Sequence, residues 1–448
     1  MINHLYFFIM IFEFYSKSLN KRFANLYESG DEMKKLLSIL LVLVFLFNFT
    51  SCKKKSGENK EEGKKIKVAI MYPEEQIGSV YKDIVDEYKK LNKDVEVELV
   101  MDFSDESKIN DSVTKGNYDI IAVKRSQLIE LAKSGLIEDL SDFSEKNELN
   151  KKLYPINLAY GKYNSKIYGI GDLPLTVEWF YNKGIFEKYG LKEPKTLKDL
   201  TNISQKLNSK DIIPISVGAM DRWTLDLLFG SISCQTTGIQ ELTESYGADK
   251  DSFVNIPGID EAFNVYEKLV KSSIKKNSID INFMQSVDDF VKGKAAILPA
   301  LSATKEIIDS KKSSGFDYGV FESPISFTNV PVSKISASGG QILVIPSKST
   351  NKEEAEKLMN FIFSDEAQKL LVEKGYISPV ISSNKGETSI SKTIMSHIEM
   401  TDDNSGMLID NLSLKMSDAL GIVLSDMIEG RVKSNEAWNR VLKITFQK

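Results

Sequence analysis

Tyr72, Glu74 and Glu75 follow or end the apolar run IKVAIMYP, and Lys124, Arg125 and Ser126 directly follow a second run, YDIIAV. Carboxylates, phenols and cations gathered at strand ends suit two kinds of chemistry. They can hold a polar ligand through hydrogen bonds, or a pair of carboxylates can cleave a glycosidic bond. The compact motifs of other bond-breaking sites are absent: there is no G-x-S-x-G, no G-x-x-x-x-G-K-[ST] and no H-E-x-x-H. The stretch beginning Gly169-x-Gly171 meets Pro174 where a dinucleotide fingerprint needs its third glycine. His4 and His397 are the only histidines, and Cys52 and Cys234 the only cysteines. That leaves no Cys/His metal cluster and no disulfide framework, so neither a metal nor another cofactor is expected. Cys234 reads as a small buried apolar residue.

The elements that must position these groups fit an α/β chain. Its 448 residues, 42% hydrophobic and 27% charged, are enough for at least two lobes. The net charge is -5, and Lys and Arg are scattered instead of forming a stripe, which excludes nucleic acid as a partner. IKVAIMYP and VEVELVMDF read as strands flanking the helix SVYKDIVDEYKKLN, and YDIIAV precedes the helix SQLIELAKSG, stopped at Gly135. This βαβαβα order implies a largely parallel sheet with right-handed crossovers. The pattern changes at GIGDLPLTVEWFYNK, and later the strand AAILPA, the run QILVIP and the helix NKEEAEKLMNFIFSDEAQKLLVEKG appear. Trp179 within VEWFY, Met284, Trp438 and the aromatics of FIFSDE read as packing residues.

The amino terminus reads as an address. Met33-Lys34-Lys35, the run LLSILLVLVFLFNF and Thr50-Ser51-Cys52 have the order of a secretory signal, with an apolar run too short to span a membrane comfortably. Residues 1–32 lie ahead of this signal and read as an upstream extension from an early start codon. Residues 33–51 are the signal peptide, and residues 52–65, without apolar side chains after Cys52, a flexible tether. The folded body begins near Ile66, and His397 is its only histidine.

The Thr-Ser-Cys ending followed by Lys53-Lys54-Lys55 resembles a bacterial lipobox, which implies that Cys52 becomes a lipidated first residue. Several body segments resemble the family 1 extracellular solute-binding proteins, which include maltose- and oligosaccharide-binding components of ABC importers. The segments are YDIIAVKRSQLIELAKSGLIEDLSDF, NSKIYGIGDLPLTVEWFYNKGIFEKYGLKEPKTLKDLTNISQKL, IPISVGAMDRWTL, FVKGKAAILPA, FDYGVFESP and SGGQILVIPSKSTNKEEAEKLMNFIFSDEAQKLL, in family order.

The resemblance implies a two-lobed periplasmic-binding-protein fold, type II-like, with hinge strands between the lobes. Crossings fall near residues 172–176, 338–341 and 382, so that lobe 1 is 66–173 plus 339–382 and lobe 2 is 174–338 plus 383–448. It also implies a monomeric receptor, not an enzyme, anchored outside the cytoplasm through Cys52, at the cell surface or in the periplasm. Such a receptor captures a small ligand, a sugar or oligosaccharide, and delivers it to ABC permease subunits.

The implied ligand residues are Tyr72, Glu75, Lys124, Arg125, Ser126, Asp172, Trp223, Gly340 and Gln341. Trp223 matches the family's D-x-W and can stack on a sugar face. Asp172 fits either acceptance of ligand hydroxyls or the capping of a turn. Lys124 and Arg125, where relatives often carry an acid, fit a neutral sugar held through Arg hydrogen bonds, an acidic sugar or other anion, or a solvated turn. Gly339 and Gly340 fit either backbone contact to ligand or hinge flexibility. Where many relatives have Gly-Ser-Trp this chain reads Ala300-Leu301-Ser302-Ala303, so a second stacking aromatic is missing and a ligand smaller than a long maltodextrin is expected. Two other readings share the fold: a surface lipoprotein for sensing or adhesion, and a glycan-processing enzyme.

Overall fold

A computed structural model describes residues 64–236, 249–325 and 334–447. The signal peptide, Cys52 and most of the tether lie outside the described residues.

The first sheet begins with β1 (Lys64–Ala69), α1 (Ser79–Leu91), β2 (Val95–Val100), α2 (Glu106–Lys115), β3 (Ile120–Val123) and α3 (Arg125–Lys133). β1 lies between β2 and β3, parallel to both, as the βαβαβα order requires. In α1 the 3.6-residue period buries Val80, Tyr81, Ile84, Val85 and Tyr88. After α3, Gly135 takes φ +64°, the left-handed conformation expected of the residue that ends the helix.

Two strands then depart from the parallel expectation. β4 (Ile170–Gly171) and β10 (Ile342–Val344) close the sheet in the order β2-β1-β3-β10-β4, and β10 runs antiparallel to both its neighbours. These strands enter from outside the βαβ units and need no crossover helix, so the handedness rule does not constrain their direction.

The second sheet is built on β5 (Leu175–Asn182), with β6 (Ile213–Ile215), β7 (Ala295–Leu301), β8 (Tyr318–Phe321) and β9 (Ala337–Ser338) around it. β5 pairs antiparallel with β7, β8 and β9, and β6 runs parallel to β7. Seven of the eight residues of β5 are buried, the signature of a central strand covered on both faces. Trp179 and Phe180, adjacent and so on opposite faces, join different apolar clusters. Trp179 is fully buried and stacks on Phe321, the packing role expected of it. Cys234 and Trp438 are likewise buried, and the Trp438 indole donates to the Phe253 carbonyl at 2.7 Å.

Helices α4 (Leu197–Asn208), α5 (Trp223–Ser233), α6 (Ile259–Ser273) and α7 (Phe283–Val291) precede β7. After β10 come α8 (Lys352–Ile362), α9 (Asp365–Glu373), α10 (Ser389–Glu399), α11 (Leu414–Glu429) and α12 (Ser434–Phe446). α8 and α9 pack on α1 of the first sheet, and α10 to α12 pack with the second. The chain therefore passes between the sheets at residues 172–174, again at 339–341, and once more between α9 and α10. Among the described residues, no helix is long and apolar enough to cross a membrane.

α10 is fastened to the second sheet by a buried ion pair. His397 Nδ1 lies 2.8 Å from Glu178 Oε2, Thr176 donates its hydroxyl to Glu178 Oε1 at 2.5 Å, and Glu178 is fully buried. Burial alone would lower the imidazole pKa. The hydrogen bond and charge of Glu178, with Glu322 adding to them, reverse this and hold it above the usual value. A raised histidine pKa gives stability that is fully present below about pH 6.5, the unfolded value, and is lost as pH rises through the folded value. His397→Leu, which leaves Glu178 buried without its partner, is expected to cost about 3–5 kcal/mol at pH 6. Melting curves recorded from pH 5.5 to 8.5 should show in this variant a shallower decline on the alkaline side than in the parent. An unchanged pH profile would mean that the pair does not titrate with folding.

Candidate functional site

The two crossings meet at one carboxylate. Asp172 Oδ1 accepts the Tyr72 hydroxyl at 3.0 Å, and Oδ2 accepts the Tyr81 hydroxyl at 2.7 Å and the Gln341 side-chain amide at 2.8 Å. Gln341 in turn accepts the Met71 backbone N–H at 2.8 Å. Tyr72 comes from the end of β1, Tyr81 from α1, Asp172 from the first crossing and Gln341 from the second. All four side chains are buried.

Burial pushes the Asp172 pKa up to about 7, against the lowering effect of its donors Tyr81, Gln341 and Tyr72. Its hydrogen bonds within the protein show a third role, beyond the two read from sequence: Asp172 fastens both crossings to the first sheet. Gly340 sits over the same carboxylate with φ +76°, and a Cβ there would approach Asp172 Oδ1 to 2.6 Å. Its glycine is required by conformation and by space.

The loop after β3 also turns inward. Lys124 pairs with Glu106 of α2 at 2.8 Å, and Ser126 is half-buried in the first turn of α3. Arg125 is buried. Its guanidinium donates to the carbonyls of Tyr160, at 2.9 Å, and Lys162, and to Asn411 Oδ1 at 3.3 Å. Burial lowers its pKa to about 10, so it stays charged at neutral pH. This is not the solvated basic turn that was one of the roles read from sequence. A solvated turn would leave both cations in water, and here one is paired and the other enclosed.

Trp223 opens α5. It is only 7% exposed, with its ring 4.7 Å from that of Phe283 at a tilt of 52°. The preceding Asp221 accepts the Phe283 backbone N–H at 2.7 Å, which ties the D-x-W turn to α7. Glu75, in a single π-helical turn at Glu74–Gly78, is exposed. The expected residues thus fall into a buried group at the crossings (Tyr72, Asp172, Gly340, Gln341), an inward-facing loop (Lys124, Arg125, Ser126), an aromatic pair at Trp223, and the exposed Glu75.

Three further carboxylates stand beside these groups. Asp410, on the single turn Leu408–Asn411, accepts the Tyr160 hydroxyl, and burial raises its pKa to about 6. Asp226 of α5 is held well above the usual carboxylate range by burial and by the charges of Asp418 and Asp410, and its Oδ1 is buried without a hydrogen-bond partner. Asp418 of α11 is raised by burial, and Glu106 of the first sheet adds to this. Each of these two thus has its ionised form disfavoured by other acids, Asp226 by Asp418 and Asp410, and Asp418 by Glu106 against the opposing effect of Arg222. Sequence reasoning passed over all three, because DALG and LIDN carry no motif and only the fold brings them together.

Comparison with known proteins follows from this geometry. The sequence model of the bacterial extracellular solute-binding proteins matches residues 72–369. The chain belongs to this family. Its members are receptors that work outside the cytoplasm, not enzymes. The "Multiple sugar-binding protein" of Streptococcus mutans is 22% identical over 329 residues, 69% of this chain and 73% of that one. A "Probable sugar-binding periplasmic protein" of Mesorhizobium japonicum is 22% identical over 215 residues, 47% of this chain and 51% of that one, so the match spans about half the length of that relative.

Among solved structures, the apo form of RafE from Streptococcus pneumoniae superposes with TM-score 0.70 at 19% identity, covering 87% of this chain and 99% of RafE. A family 1 extracellular solute-binding protein from Bifidobacterium longum subsp. infantis gives 0.65 at 19% identity, covering 85% and 99%. At such identities the structures speak for the fold: two α/β lobes joined by hinge strands.

A carboxyl whose pKa is raised on folding is disfavoured when ionised. The contribution of Asp172 to stability is therefore greatest below its unfolded pKa of about 4 and falls as pH rises through about 7. Asp172→Asn should flatten the melting profile between pH 5 and 8 compared with the parent, and a profile as steep as the parent's would exclude this role. Gly340→Ala should lower stability by at least about 1 kcal/mol, measured by chemical denaturation, because it combines positive φ with a collision.

Proposed function

We propose that this chain is a lipid-anchored receptor, held outside the cytoplasm through Cys52, that captures a sugar or short oligosaccharide by closing its two lobes and delivers it to the permease of an ABC importer. The observation that carries the reading is the double crossing at 172–174 and 339–341. It joins two separate sheets through one buried cluster, and Arg125, just beyond the carboxyl end of β3, reaches Asn411 of the second half. In open α/β sheets ligands bind beyond those ends, and a fold of this kind closes around its ligand by hinge motion.

Sugar as the ligand class is supported by the names of the two curated relatives and by the acceptor-rich space between the lobes. A sugar offers hydroxyl donors to carboxylates and a C–H face to an aromatic ring. Trp223 beside Phe283 supplies the ring, while Asp226, Asp418 and Glu106 supply acceptors from both sides. The pairing of Lys124 and the enclosure of Arg125 favour a neutral sugar over an anion. Ala300 and Leu301 are buried in β7 where relatives would present a second aromatic, which fits a short ligand. In this reading lobe 1 comprises 66–173 and 339–382, lobe 2 comprises 174–338 and 383–448, and the receptor acts as a monomer.

Thermal shifts against mono- and oligosaccharides, sugar acids, amino acids and polyamines test the reading. A ligand at a hundred times its dissociation constant adds about 2.7 kcal/mol. A saturable shift with a neutral sugar is expected, lost in Trp223→Ala when each protein is compared with its own unliganded melting temperature. A response confined to anions, or none to any sugar, would overturn the proposal.

A further inference from the structure

Three tyrosines gather beyond the carboxyl end of β1, and two of them are already engaged. The hydroxyls of Tyr72 and Tyr81 donate to Asp172, and their rings lie 6.2 Å apart. The third, Tyr376, comes from α9, which packs on α1. Its direction is set by the way that helix stops. Gly375 takes φ +88°, its N–H donates to the Val372 carbonyl at 2.9 Å, and the Tyr376 N–H donates to the Leu371 carbonyl at 3.3 Å. This pair of bonds is the Schellman closure of a helix, and it fixes the residue that follows the glycine. Tyr376 is thereby brought close to Tyr72, whose pKa is raised first by burial, then by Asp172 and, more weakly, by Tyr376.

Tyr376 is also close to the second half. Burial raises its pKa, and the charge of Glu306 adds to this. Glu306 lies in the first turn of the helix Thr304–Lys311, where its N–H donates to the Ala303 carbonyl at 3.2 Å. Ala303 ends the stretch Ala300-Leu301-Ser302-Ala303, from which the second aromatic implied by the resemblance is missing. An aromatic ring of the first half therefore stands near the place where the second half lacks one. That ring is half-buried, packed in part on the first apolar cluster. Among the described residues no other aromatic ring stacks on Tyr376, and its hydroxyl makes no hydrogen bond. Tyr72 and Tyr81 have spent their polar atoms on the crossings, and Tyr376 has not.

We propose that Tyr376 is a ligand contact, its ring covering a C–H face of a sugar and its hydroxyl sharing a hydrogen bond with a sugar hydroxyl, in place of the aromatic that the 300–303 stretch lacks. The inference rests on the reading of the chain as a sugar receptor. A neutral phenol both donates and accepts, as a sugar hydroxyl does, and its ring offers the apolar face that sugar C–H groups favour. Each half then contributes one aromatic contact, Trp223 from the second and Tyr376 from the first.

Calorimetric titration of the protein with galactose, maltose and raffinose tests this. The method reads binding by the folded protein, so a modest loss of stability in a variant does not disturb the comparison. With the sugar that binds the parent, Tyr376→Phe, which keeps the ring and removes the hydroxyl, should raise Kd about fivefold. Tyr376→Ala, which removes both, should raise it about thirtyfold. Either variant binding as tightly as the parent would overturn the contact while leaving the receptor reading intact. A parent that binds none of the three sugars would overturn the contact together with the reading on which it rests.

Discussion

The architecture rests on a carboxylate held by uncharged donors. Asp172 is buried, and its donors are two phenols and one amide, drawn from a strand end, a helix and the second crossing. An ionised carboxylate in such a place is costly unless donors surround it. Three elements of the first sheet region must therefore be in register before the chain can cross to the second, and Gly340 must lack a side chain for the second crossing to pass. The hinge is defined by this one group more than by any flexible sequence.

From that point the two halves are arranged so that polar groups converge. The first sheet sends Glu106, Lys124 and Arg125 from its strand ends. The second sends Trp223, Asp226, Asp410 and Asp418 from helices and a short turn. Neither set is complete alone, which fits the proposed capture of a ligand between the two halves. The pair His397 and Glu178 has a different task, since it keeps α10, the helix that follows the third passage, seated on β5.

The sequence disclosed what is local. The period of α1, the parallel order of β1 to β3, the left-handed Gly135 and the packing role of Trp179 all follow from residues within a few positions of one another. It did not disclose direction. That Arg125 follows a strand end was legible, but its turn toward Asn411, 286 residues away, was not. The same holds for Tyr72 and Gln341, read as ligand contacts, whose polar atoms meet Asp172 across distances of 100 and 169 residues. The antiparallel entry of β10 escaped notice because a three-residue strand carries no signal of orientation. Asp226, Asp410 and Asp418 were missed because acids on helices and turns are ordinary until a fold brings them together.

The placement of β10 also bears on how the chain acquires its structure. β10 lies between β3 and β4, pairing Val123 with Ile342 and Gly171 with the same residue. A chain that emerges amino terminus first therefore exposes an edge of β3 while more than half of its length is still to follow. Until Ile342 arrives, β3 has one neighbour and β4 has none in this sheet, and the Asp172 carboxylate lacks its Gln341 donor. Contacts so distant in sequence close slowly, so the first sheet cannot be complete until most of the chain has been made.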